Sequence, residues 1–490
     1  MAIAEMITIT KQEYEELKGF KSEVVWLKHQ LAELKRLIFG VKSERYIAPI
    51  PNQPTLFELP EAEVVEPKQE EITYTRNKPE SKKRPLRCEL PAHLPRVKEV
   101  IEPENISEGA KKIGETITEI LEYKPANIYV RQIIRPKYIL SQNDESTKIA
   151  IAELPTLPIP KGNAGASLLA YIIVSKFVDH LPFYRIAKIL KRQDVIIPES
   201  TIGGWFGASC NLLELLYEEL KKQILSCDYL MADETPIPVL TKDKPGATHK
   251  GYHWVYYDPV NKRALFEYQR TRERAGPDNF LKNFIGYLQT DGYTAYNNLK
   301  NAAKIIALAC MAHVRRKFEH ALDSSPKLAT EAMEMFKQLY DIESEAREKR
   351  LQPDEIKALR QKEAKPILKK MKEWLDDNIT STTPKSAIGI AIGYTLTLWP
   401  KLIRYIDDGK LHIDNNLIEN SIRPVALGRK NYLFAGSHDA AQNAAIIYSL
   451  LATCKINNVE PYQWLKETLE KIPDCKTSEL HTLLPGFNNK

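Results

Sequence analysis

Three carboxylates stand out by their settings. In "LHIDNNLIENSIRP", residues 411–424, Glu419 lies between Ile418 and Ile422, on the side of a helix that the apolar spacing turns toward a core. A carboxylate there is either half of an i,i+4 pair with Arg423, contributing only ~0.3 to 0.5 kcal/mol when exposed, or it is held in place for chemistry. In "CDYLMADETPIPVL" a buried strand meets Asp233 partway along, and the short strand "GYLQT" ends at Asp291. Two carboxylates side by side repel by ~4 kcal/mol at about 4 Å and an effective dielectric near 20. They coexist around a cation or a shared proton, and oxygen-only ligands of this kind suit Mg²⁺ or Mn²⁺ rather than zinc.

The elements that would position these acids follow from the pattern after Cys227. A buried strand, a hairpin turning at Asp258-Pro259-Val260-Asn261, a helix in "GPDNFLKNF", the strand "GYLQT", a helical "YTAYNNLKNA", the strand "KIIALAC" and the basic helix "HVRRKFEHAL" give the order β-β-β-α-β-α-β-α. Right-handed crossovers place the fourth strand beside the first. Asp233 and Asp291 then share one rim of the sheet.

The rest of the chain bounds the protein's class. At 490 residues it is too long for one core and suggests roughly three or four domains. A net charge of +6 is only mildly basic, so affinity for nucleic acid must come from local clusters. Six cysteines without paired spacing argue against a disulfide framework and fit a reducing cytoplasm. The N-terminus lacks the pattern of a signal peptide, and "AIGIAIGYTLTLW" is shorter than the ~18 to 20 apolar residues that span a bilayer, so no membrane is expected.

Leu17, Phe20, Val24, Leu27, Leu31, Leu34 and Ile38 form an a/d seam ended by Gly40, which predicts a coiled coil over 1–45; a helix docked on the protein's own body is the alternative. Residues 46–95 form a Pro-rich linker, with nine prolines between Pro49 and Pro95 and the basic run "KPESKKRPLR". Residues 96–142 have β-branched strands, "ANIYVRQIIRPKYIL" being the clearest. Within 155–222 a short amphipathic helix, a connection ending at Pro198 and a second helix capped by Ser200 or Thr201 follow the grammar of a helix-turn-helix or of an ordinary helical hairpin.

The ordered motifs "ADETPIPVL", "DGYTAY", "CMAHVRRKF", "DNNLIENSIRPVALGRKNYLFAGS" and "AAIIYSLLATCKINNVEPYQWL" resemble transposases of the insertion sequence 66 family. "LIFGVKSERY" and "LPAHLPRVKEV" resemble that family's leading segments, so the likeness covers nearly the whole chain. It implies an RNase H-like catalytic core with an Asp-Asp-Glu triad, here Asp233, Asp291 and Glu419. The expected architecture is multidomain, α+β and α/β. The core's first part would span 226–318, a helical insertion 319–405, the second part 406–455 and a C-terminal helical tail 456–490, preceded by the coiled coil, the small β-rich module and the helix-turn-helix-like region. The spacings agree, because Glu419 lies 128 residues beyond Asp291 while Asp291 lies only 58 beyond Asp233. A separate helical domain without catalytic relevance would show the same pattern over 319–405.

Members of the family carry a cysteine-based zinc module after the "LPAHLPR" segment, but here "EPENISEGAKKIGE" has no cysteine and Leu140 stands where a ligand is expected. Four ligands are needed for a structural zinc, so no zinc is expected. Cys310 and His313 form a C-x-x-H pair that fits structural roles at a strand end and a helix start. Arg315, Arg316 and Lys317, with Arg423, Arg429 and Lys430 flanking Glu419, supply the positive charge that a phosphodiester requires. The implied chemistry is Mg²⁺- or Mn²⁺-dependent cleavage at the ends of a mobile DNA and joining of the 3′-OH to target DNA. No P-loop pattern is present, in keeping with chemistry that needs no nucleotide. The expected partners are double-stranded DNA at element ends and target, a second copy or more of this chain, and helper proteins of the same mobile element. The expected location is the cytoplasm, on the nucleoid when DNA-bound. The alternatives are a catalytically silent DNA-binding accessory protein and an RNase H-fold nuclease without strand transfer.

Overall fold

The computed structural model describes residues 128–487 apart from short stretches at 135–136, 144–145, 152–154, 161, 242–245, 297–298 and 300–301. The expected coiled coil, the linker and residues 96–127 lie outside the described residues.

A five-stranded mixed sheet is built from β3 (Tyr229–Leu240), β4 (Thr248–Asp258), β5 (Arg263–Gln269), β6 (Gly286–Thr290) and β7 (Ile305–Ala309) in the order β5-β4-β3-β6-β7. β3, β4 and β5 are antiparallel neighbours, while β6 and β7 run parallel to β3. Trp254, Val255, Tyr256 and Tyr257 are buried in succession, so both faces of β4 are covered, as a central strand between helical layers requires. Gly286 is needed where β6 begins. At its φ of +143° a Cβ would stand 2.2 Å from the Asp228 carbonyl oxygen, so only glycine lets β6 start against β3.

Three helices precede the sheet, α1 (Ala166–Phe177), α2 (Phe183–Lys191) and α3 (Glu199–Leu225). The second helix of the expected pair starts two to three residues earlier than its sequence suggests. Pro198 is the N-cap and makes no side-chain cap bond, which puts Ser200 and Thr201 inside the first turn. Proline's fixed φ and lack of an N–H suit that entry.

After the hairpin comes α4 (Ala275–Phe280), and α5 (Met311–Glu319) follows β7. The helix expected in "YTAYNNLKNA" is reduced to 3₁₀ turns at Thr294–Tyr296 and Ala302–Lys304. Tyr296 packs edge-on against Trp254 with ring centres 5.7 Å apart, which holds the chain in a tight turn. In the β-rich region, β1 (Lys137–Asn143) and β2 (Ser146–Ile151) form an antiparallel hairpin that runs past the expected boundary at 142. Residues 128–134 of the expected strand have no ladder partner and are exposed, Val130 at 87%.

The region expected as a helical insertion, 319–405, contains α6 (Pro326–Glu348), α7 (Pro353–Leu359), α8 (Lys365–Ile379) and α9 (Ala387–Leu402). Then come α10 (Asn416–Tyr432), α11 (His438–Ile456) and α12 (Pro461–Lys471). α11 covers the β5 edge, where Thr453 Oγ1 accepts from the Ala264 N–H at 3.2 Å and Ser449 Oγ from the Phe266 N–H at 2.8 Å. Two outward-facing donors of an edge strand are satisfied in this way, which closes the edge to pairing with another chain. Among the described residues the main hydrophobic core draws on side chains from Ala164 to Leu484, with two smaller clusters around Ile186 and Val239. Among the described residues no helix is long and apolar enough to cross a membrane.

Candidate active site

Strand register brings the two aspartates to one rim. Met231 of β3 stands opposite Gln289 of β6, and Asp233 and Asp291 each lie two residues farther along. Asp233 Oδ1 accepts the Glu234 N–H at 2.8 Å, and Asp291 Oδ1 accepts the Tyr293 N–H at 2.8 Å. One oxygen of each carboxyl is thereby fixed by the backbone. Burial pushes the Asp233 carboxyl up to about 8, and the nearby charges of Asp291, Glu234 and Glu419 add to that against the Glu234 N–H.

Glu419 sits in the first turn of α10, where helix N–H groups favour negative charge. The approach to that helix, residues 411–415, is stitched to the sheet. Gln289 Nε2 donates to the His412 carbonyl at 2.9 Å, the His412 N–H donates to Tyr229 Oη at 3.1 Å, and the Met311 N–H donates to the Ile413 carbonyl at 3.0 Å. Ile418 is fully buried and acts as the anchor, while Glu419 turns into an open cleft shared with Asp233, Glu234, Ile422, Arg423 and Ala426. Among the described residues Glu419 meets Arg316 at 3.4 Å and His313 at 3.9 Å, and the pair with Arg423 is not formed.

A clamp that the sequence alone does not suggest joins the two aspartate loops. Arg272 donates from Nε at 2.8 Å, and from Nη2, to Glu234 Oε1. Its guanidinium lies 3.9 Å from the centre of the Tyr293 ring, and Tyr293 Oη donates to the Arg272 carbonyl at 3.2 Å. The ends of the clamp, Glu234 and Tyr293, are the residues whose N–H groups hold Asp233 and Asp291. Tyr394 Oη of α9 donates to the Asp291 carbonyl at 2.8 Å, so that helix also supports the site. The doublet Asp233-Glu234 was a sequence signal for a second acid; nothing in "QRTRERAGP" distinguishes Arg272.

The basic residues separate on inspection. Arg316, Lys317, Arg423 and Lys430 are exposed, whereas Arg315 is half-buried and pairs with Glu319 at 3.6 Å. Arg429 is turned inward and donates to Thr235 Oγ1 at 3.1 Å and to the Pro236 carbonyl, which staples α10 to β3. Cys310 is buried and accepts the Asn415 N–H at 3.4 Å, a structural position. His313 instead faces the acids. Burial and Arg316 lower its basicity while Asp291, Glu419 and Asp414 raise it.

The donor types present, carboxylate oxygens only at Asp233, Asp291 and Glu419, fit a hard divalent cation. Among the described residues no three His, Cys, Asp or Glu side chains are gathered into a ready-made metal cage. Mg²⁺ is commonly held by one or two carboxylates plus substrate phosphate, so such a cage is not required.

Residues 161–443 match the family described as Transposase IS66 family. Residues 26–98 match Transposase C of IS166 homeodomain, and residues 449–485 match the IS66 C-terminal element. Uncharacterized protein y4jD of Sinorhizobium fredii is 32% identical over 495 residues, covering 94% of this chain and 94% of its own length. Uncharacterized protein y4qI of the same organism is 33% identical over 490 residues, covering 96% of this chain and 90% of its own.

Proposed function

Because the chain belongs to the IS66 transposase family, we propose that it is an Asp-Asp-Glu transposase that cleaves the ends of a mobile DNA and joins the freed 3′-OH to a target duplex. The observation that carries this is the placement of Asp233 on β3 and of Asp291 just past the end of the neighbouring β6, with Glu419 turned into a cleft that Asp233 also lines. In this proposal Asp233, Asp291 and Glu419 are the catalytic residues and would hold Mg²⁺ or Mn²⁺, which supplies Lewis acidity toward a phosphodiester in an in-line displacement. Glu234, Arg272 and Tyr293 keep the two aspartates at a fixed separation. Arg316, Lys317, Arg423 and Lys430 take the DNA phosphates on either side of the acids. Cleavage is hydrolysis, leaving a 3′-OH; joining exchanges one phosphodiester for another, so no nucleotide is consumed.

Residues 1–45 are proposed to pair copies of the chain so that two ends are held together, with helper proteins of the same mobile element as further partners. The test is to incubate the full chain with Mg²⁺ and labelled duplexes carrying the ends of its insertion sequence. Cleavage with joining is the expected result. Cleavage alone would identify a nuclease of the same fold, and binding without cleavage an accessory protein.

A further inference from the structure

The chain leaving α10 makes a strained turn that is held from both sides. Leu433 has φ 59° and ψ −44°, and the Phe434 N–H donates to the Tyr432 carbonyl at 2.6 Å, a tight γ-turn of the strained hand for a branched, non-glycine residue. Both flanks are fixed. Ala435 exchanges hydrogen bonds with β3, donating to the Pro238 carbonyl at 2.8 Å and accepting from the Leu240 N–H at 2.9 Å. Tyr432 bonds to Tyr448 through their hydroxyls and lies 4.2 Å below the Lys176 ammonium. A strained turn persists where its surroundings over-determine it, and such turns gather at functional sites. What this one presents is apolar: Leu433 is 62% exposed and Phe434 41%.

The surface around the tip favours one kind of occupant. The exposed residues of α10 are Asn416, Asn420, Arg423, Leu427, Lys430 and Asn431, with no carboxylate among them. On the other side, Lys176 also lies 4.4 Å from the ring of Phe183, which opens α2, and that helix exposes Arg185, Lys188 and Lys191. An apolar tip between two basic helix faces matches the layout of a nucleic-acid surface, where cations track phosphates and a rigid side chain meets an unstacked base. We propose that Leu433 and Phe434 form a wedge that stacks on a DNA base displaced from its duplex. Along α10 the tip lies about 20 Å from Glu419, which corresponds to roughly six base pairs from the reacting phosphate. This rests on the transposase assignment.

The test uses the full chain and duplexes carrying the end of its insertion sequence, each with a single 2-aminopurine, in Ca²⁺ to keep the DNA uncleaved. A fluorescence rise at one position, roughly six base pairs from the cleavage point, is expected on binding. Phe434→Ala and Leu433→Gly should abolish the rise and weaken binding roughly tenfold. Glycine adopts positive φ freely, so Leu433→Gly should leave the thermal midpoint at or above that of the parent, which a purely structural leucine would not do. Binding and Mg²⁺-dependent cleavage with no rise at any position would overturn the wedge and leave the transposase assignment standing. A rise that survives both substitutions, or variants that lose mass in light scattering while the rise is unchanged, would assign the tip to another role or to a second copy. Failure to bind any of the duplexes would overturn both proposals.

Discussion

At Asp233 the cost of the site is visible in one group. Burial beside Asp291 raises its carboxyl from 3.8 to about 8, so between those values the folded chain keeps a proton that the unfolded chain has released. The associated stability is complete at the acid end and is lost as pH rises through about 8. In EDTA the thermal midpoint should therefore fall from pH 5 to pH 8, Asp233→Asn should flatten that fall, and Mg²⁺ should offset it only in the parent. Equal slopes with and without the substitution would show that Asp233 is not the titrating group. The clamp gives a second expectation at this scale. Arg272→Lys keeps the charge but cannot reproduce the forked donation to Glu234 and the stacking on Tyr293. It should lower the cleavage rate by roughly 10- to 100-fold, the range seen when partners that orient site ligands are lost, with DNA affinity unchanged. Weakened binding at an unchanged cleavage rate would instead make Arg272 a phosphate contact. Asp233 and Glu419 stand out in the sequence because each interrupts an apolar pattern, and Asp291 because it closes a short strand. Arg272 and His313 were not, because their importance comes from residues 38 and 106 positions away in the chain, Glu234 and Glu419.

Between elements, the placement of the fourth strand of the sheet, β6, beside the first, β3, was readable from the strand-like runs and the usual hand of crossovers. The 3₁₀ turns in place of a helix after β6 were not, since they depend on Tyr296 reaching Trp254 across the sheet. The inward turn of Arg429 was equally hidden: basic residues around Glu419 look alike in sequence, and only the packing of α10 on β3 separates a staple from a phosphate contact. Within residues 319–405 an ion pair centred on the buried Arg360 also reaches the chain that follows. Arg360 binds Glu343 at 2.8 and 2.7 Å and donates to the carbonyls of Tyr405 and Asp408, just ahead of the segment that carries α10. Arg360→Met strands the half-buried Glu343 carboxylate and should cost up to about 3 kcal/mol of stability, most of it recovered in the double variant with Glu343→Met. Denaturant melts of the three proteins check this; equal stability of the single and double variants would mean the pair is not coupled.

For the molecule as a whole, the match of residues 161–443 to the IS66 transposases fixes the family, and the matched acids give it a candidate chemistry. Removing residues 1–45 should turn an oligomer into a monomer in light scattering while the thermal midpoint of the remainder is kept, because the a/d seam lies wholly in that segment; an unchanged mass would place the subunit contact elsewhere. The most direct measurement is a strand-transfer assay on Glu419→Gln beside Asp233→Asn and Asp291→Asn, with Arg423→Ala as the comparison. Each of the three acid variants should fold, bind the duplex ends and show neither Mg²⁺-dependent cleavage nor joining, while Arg423→Ala loses affinity and still cuts. Substantial cleavage and joining by Glu419→Gln would contradict the central claim and move the third carboxylate to another residue, Asp414 first.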